Sequence, residues 1–193
     1  MKIKTKLFRY FLCALTLSLA PNCFAQTKTA EPKATASDWA AVRLKAQISD
    51  WARARNWTKE YLDKMPETAL GFKPVSEVRS FAGQMLHLAA ANLAFGELVT
   101  GQPHPHQGKN LWNMPEPKSK AELAKFVLES YDYVLGALGK LDPARLEEAK
   151  PYRNLKLPGW DLLAIAYEHQ THHRGQVTIY LRLNGVTPPP EPF

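Results

Sequence analysis

The sequence predicts an all-α protein, a four-helix bundle in one domain. Three observations carry that prediction. Four segments show helical periodicity with recognisable start or stop residues. The second of them is apolar nearly all the way round, so it belongs inside a packed core. No run alternates apolar and polar residues as a half-buried strand does, and no internal repeat breaks the pattern.

The bundle does not start at the first residue. Residues 1–10 carry Lys2, Lys4, Lys6 and Arg9 with no acid, and residues 11–20 are almost wholly apolar. Pro21 ends the run, and Cys23-Phe24-Ala25 puts small residues at the two positions a signal peptidase reads. The expectation is a signal peptide over 1–25, cleaved after Ala25, with the mature chain periplasmic or secreted. Its apolar run is too short to span a bilayer. Ala20-Pro21-Asn22 is not the small-residue box that lipidation of Cys23 needs. Residues 26–36 are small and polar and read as a flexible spacer. Residues 37–193 then form the bundle domain.

The first helix is expected to be capped at Ser37 or Asp38 and to run to about Met65, with Pro66 helping to end it. Trp39, Ile48, Trp51, Tyr61, Leu62 and Met65 are its candidate core residues. The second starts near Ser80, ends at Thr100-Gly101 and carries Phe81, Met85, Leu86, His87, Leu88, Leu93, Phe95 and Leu98. A proline-rich loop of 17 residues follows; loops of that length in a compact domain are usually functional or disordered. Ser119-Lys120-Ala121-Glu122 is a capping box opening the third helix, which stops before Pro143. Residues 141–158 are mixed and give no clear element. The fourth helix runs from about Gly159 to Leu183, with Asn184-Gly185 as its stop, and the tail TPPPEPF cannot extend it.

Loss of residues 1–25 leaves 168 residues, enough for one hydrophobic core. Both cysteines, Cys13 and Cys23, leave with them, so packing and not disulfides must hold the fold. The formal charge drops from +7 to +3, which makes most of the basicity an export signal. With no dense basic stripe in the mature chain, nucleic-acid binding is excluded, and no stable membrane insertion is expected.

The chemistry concentrates in the histidines. His169 and His173 lie one turn apart, about 40° around the helix from each other, on a face shared with Leu162, Ala166, Gln176 and Tyr180. Arg174, Thr171 and Thr178 fall on the other side. Two inward imidazoles one turn apart suit a divalent ion such as zinc or nickel. His87 sits mid-way along the most apolar helix among small residues, where an unpaired imidazole is costly. Spacing alone leaves two readings open for it, a third ligand or a core histidine bonded to a carbonyl or to Gln84. His104 and His106 could bind copper or nickel or gate a pocket, but read rather as solvated loop residues, and Trp112 reads as a lid or an anchor for the loop. Tyr180 reads as a core tyrosine.

Three segments carry a resemblance to a known family: Lys73-Pro74-Val75-Ser76-Glu77-Val78-Arg79-Ser80-Phe81 followed by Gln84-Met85-Leu86-His87; His169-x-x-x-His173-Arg174-Gly175-Gln176; and Tyr180-Leu181-Arg182-Leu183-Asn184-Gly185-Val186. In order and context they resemble the DinB-like (YfiT-like) metal-binding four-helix bundles, over most of the chain after residue 37. The resemblance implies a bundle of the DinB-like type. It also implies one divalent metal held by His87, His169 and His173. The aromatic that the family usually places before its last ligand is replaced here by His172, which reads as a bystander.

Three protein ligands leave a coordination position for water or a thiol. Family members of known activity include thiol-dependent transferases and isomerases. The site is not of the thermolysin type, because Gln170 stands where that motif needs glutamate, and Glu168 points about 100° away from His169. No general base and no serine elbow is apparent. The expected function is an exported metal-dependent hydrolase or transferase acting on a small molecule. The alternative is a non-catalytic bundle with a structural metal. The partner is then that substrate or ligand, and beyond it at most a second copy in a homodimer.

Overall fold

The computed structural model describes residues 35–192, so the expected signal peptide and nearly all of the expected spacer lie outside the described residues. Four long helices account for most of the chain: α1 (Ala36–Lys64), α2 (Phe81–Thr100), α3 (Lys120–Leu138) and α4 (Gly159–Leu183). Each of α3 and α4 packs against both α1 and α2, which puts α1 and α2 across the diagonal of the bundle.

The starts of α1, α2 and α3 follow capping chemistry, whereas α4 begins after Pro158 with no side-chain cap. Thr35, and not Ser37 or Asp38, caps α1: its hydroxyl accepts from Asp38 N while the Asp38 carboxylate accepts from Thr35 N. Ser80 caps α2 through Gly83 N, and Gly101 closes it in the left-handed region at φ 71°. Ser119 caps α3 through Glu122 N, but the Glu122 carboxylate reaches one residue further back than a capping box requires, to Lys118 N at 3.0 Å. Helix α4 has the expected limits, and Gly185 turns the chain at φ 72°. The tail then buries Pro188 and Pro189 against α1 and α4.

The burial pattern explains the bundle. Leu44, Trp51, Ala54, Thr58, Tyr61 and Leu62 form one inward stripe on α1. Trp39 does not join it and is 64% exposed, because the first turn of α1 extends past the core. Helix α2 is buried on most sides and partly open at Gly83, His87, Ala94, Phe95, Glu97 and Leu98. At Gly96 a Cβ would stand 2.7 Å from Tyr133 Cε1, so α2 and α3 approach there because the side chain is absent.

Two further features depart from the sequence expectation. Residues 149–158 form an antiparallel hairpin, β1 (Ala149–Tyr152) with β2 (Leu155–Pro158), where no strand was expected. Its turn places Arg153 at φ 54° without a glycine, so the usual hairpin signature is missing. The second is Arg174, expected on the far side of α4. It does face away from the histidines, but that side is also core. Arg174 is 2% exposed, its Nη1 donates to Thr58, Tyr131 and Gln170, and its guanidinium lies 5.1 Å from the Trp57 ring. Helical angle gives direction, and only the packing of α1 and α3 shows what covers that direction.

Candidate metal centre

The three expected ligands come together. His87 from α2 meets His169 and His173 from α4, one ring nitrogen of each lying within 4.8 Å of the others. His169 Nε2 lies 3.3 Å from His87 Nε2 and 3.2 Å from His173 Nε2. A tetrahedral site with arms of about 2.0–2.1 Å has edges of about 3.3 Å, so this spacing is that of donors around a zinc-sized ion.

The protonation pattern supports the same arrangement. His173 Nδ1 donates to Gln84 Oε1 at 2.7 Å, which leaves its Nε2 as a lone pair aimed at the other two rings. Burial, reinforced by the Arg79 charge and by His169, lowers the His87 pKa to about 4. Burial, with the neighbouring histidines and Arg79, lowers His173 to about 3. Burial also lowers His169, helped by His172 and Arg79. All three rings are therefore neutral at pH 7, the form that binds metals. One ring proton cannot lie linearly in both short Nε2 contacts of His169. A cation among the three atoms accepts every lone pair at once, so the residues fit a metal ion.

Two hollows flank the triad. The first, about 200 Å³, lies on the His87 side and is walled by Ser80, Gly83, Trp112 and Glu116. The second, about 530 Å³, lies on the His173 side and includes His172 and Gln176. Lys73 and Arg79 line both. Trp112 is 59% exposed, and its ring lies 5.4 Å from the His87 ring, centre to centre. The proline-rich loop that carries it is pinned: Leu111 is buried, Tyr133 donates to Gln102 O, and Gln107 donates to Glu97 at 2.7 Å.

The remaining histidines separate. His172 is exposed on α4 and contacts Gln176 at 3.0 Å. His104 and His106 are not solvated as expected. His104 packs edge-on to Tyr133 and lies 3.5 Å from Glu97, and His106 packs on Phe126 near Glu129, so both tie the loop to α2 and α3. Among the described residues neither joins the cluster. Tyr180 is buried as a core tyrosine; it donates to Arg79 O at 2.9 Å and accepts from Gln84 at 3.2 Å. Gln84 thus serves His173 and Tyr180, and not His87.

Sequence reasoning missed Glu116. Its carboxylate accepts the Ser80 hydroxyl hydrogen bond at the wall of the first hollow, beside His87. Its position between two prolines in the loop gives no periodic signal.

Comparison with known proteins agrees with this architecture. The "Uncharacterized protein YjoA" of Bacillus subtilis (strain 168) is 26% identical over 142 residues, 72% of this chain and 90% of that protein. A crystal structure of a DinB-like protein from Bacillus cereus ATCC 10987 matches with a TM-score of 0.67 at 21% identity, covering 76% of this chain and 96% of that one. The crystal structure of YjoA from Bacillus subtilis, also described as DinB-like, matches with a TM-score of 0.62 at 22% identity over the same shares. These likenesses concern the fold. The family model of the DinB superfamily matches residues 50–177, well over half of the chain and inclusive of all three histidines. The chain belongs to the DinB superfamily.

Proposed function

We propose that this protein is exported and holds one divalent ion, zinc or nickel, with His87, His169 and His173. On this reading it is a metal-dependent hydrolase or transferase for a small molecule. The observation that carries the proposal is the convergence of three Nε2 atoms, two of the separations being 3.2 and 3.3 Å, next to open hollows. A closed structural site would want a fourth protein donor; among the described residues the cluster has three.

When bound, such an ion acts as a Lewis acid and lowers the pKa of water or a thiol on it. The chain supplies the rest. Gln84 fixes the His173 ring and its tautomer. Trp112 covers the His87 side and limits access of bulk water. Glu116 offers a proton acceptor at the wall of the first hollow, held in place by Ser80.

Metal content by elemental analysis tests the proposal, after gentle purification and reloading with zinc or nickel. Wild type should bind one equivalent. His173→Ala and His169→Ala should lose at least 10–100-fold in affinity, roughly the loss seen even for groups behind the ligands. His104→Ala and His106→Ala should bind as wild type. Stoichiometric metal in the first two variants, or none in wild type, would reject the site.

A further inference from the structure

The two hollows share one wall, and that wall is cationic. Lys73 and Arg79 come from the connection between α1 and α2 and line both hollows beside the triad. Arg79 is close enough to raise the cost of protonating each of the three histidines. Its backbone is fixed, because Tyr180 donates to its carbonyl and Tyr180 is itself held by Gln84, the partner of His173.

The charges in these hollows are not balanced in the same way. Glu116 lines the first and accepts from the Ser80 hydroxyl. Glu77 lines the second, and hydrogen bonds from Ser76 and from its own backbone N–H hold its carboxyl below the usual range. Both acids are engaged by local hydroxyl or backbone donors. Neither cation has a carboxylate within ion-pair distance among the described residues. A guanidinium offers a planar fork that matches a carboxylate or phosphate, and a nearby ammonium adds a point charge.

We infer that the site takes a small molecule bearing a carboxylate or phosphate group, with Lys73 and Arg79 holding the anion next to His87 and His173. This rests on the metal reading above, since the anion would be anchored beside the ion's open side. The two cations restrict the substrate to anionic compounds, and the small volume of the His87-side hollow restricts the part that enters it.

The test uses the full protein loaded with Co²⁺, whose visible absorption reports changes at the ion. Acetate, inorganic phosphate and neutral imidazole are titrated separately. Wild type should respond to acetate or phosphate, and the tighter of the two identifies the favoured group. Arg79→Gln and Lys73→Gln should each weaken anion binding about tenfold, the loss of one charge-assisted contact. Both should keep full Co²⁺ content, the wild-type circular dichroism spectrum and unchanged imidazole binding. Unchanged anion affinity in both variants, an equal loss for imidazole, or no response of wild type to either anion would overturn the inference while leaving the metal site intact. If wild type shows no Co²⁺ absorption at all, the metal reading fails first and this inference falls with it.

Discussion

Gln84 accepts the Nδ1 proton of His173 with its Oε1 and donates with its Nε2 to Tyr180, which in turn donates to the carbonyl of Arg79. One neutral side chain thereby sets the tautomer of His173 and, through Tyr180, reaches the backbone of Arg79. Burial makes these histidines poor bases, and this has a measurable effect on the metal-free protein. An unfolded histidine titrates near 6.5, whereas folded His87 and His173 titrate near 4 and 3. Between these values the unfolded chain binds protons that the folded chain does not, so stability is full above about pH 6.5 and falls as the pH is lowered. Urea midpoints of metal-free protein should drop from pH 7.5 to pH 5, and His173→Gln should show a shallower decline. A flat profile in wild type would mean that the rings are not buried as described. The pairing of His169 with His173 was legible from their spacing alone. The partner of His173 was not, because Gln84 is distant in sequence and its helical position allowed it to serve His87 equally well.

Each helix end was set by residues within a few positions of it, which is why α2, α3 and α4 could be placed closely from sequence. The hairpin at 149–158 could not, since its turn uses Arg153 at positive φ and its strands are short. Contacts between helices were the other blind spot: spacing puts Arg174 on the side away from the histidines but does not bring Thr58, Tyr131 and Gln170 around it. Two glycines separate local preference from packing. A Cβ on Gly96 would meet Tyr133 at 2.7 Å and Val134 at 3.1 Å, and the Tyr133 ring is tethered by its bond to Gln102 O. A Cβ on Gly136, within α3, would meet nothing within 4 Å. Gly96→Ala should therefore destabilise the protein by about 1–3 kcal/mol. Gly136→Ala should stabilise it by up to about 1 kcal/mol through helix propensity. Thermal melts of the two variants check this, and a higher Tm for Gly96→Ala would show that α2 and α3 are further apart than described.

For the whole molecule, the export we propose rests on the charged start, the apolar run and the Cys-Phe-Ala end of residues 1–25. Mass spectrometry of the protein recovered outside the cytoplasm should find a chain beginning at or near Gln26. An intact Met1 on membrane-bound material would show that the segment is retained as an anchor. Among the described residues no helix is long and apolar enough to cross a membrane.

The division of labour between helices and connections bears on how such a protein can diverge. The three histidines stand on α2 and α4, whose positions are dictated by the core. Lys73, Arg79, Trp112 and Glu116 stand on the two connections that flank α2. Loops accept substitutions and insertions at little cost to folding, whereas core helices do not. A descendant could therefore exchange the wall of the hollows and acquire a different ligand while inheriting its histidine cage unaltered. Grafting the 66–80 and 101–119 connections of one such protein onto the helices of another would accordingly replace the wall of the hollows and leave the three histidines in place.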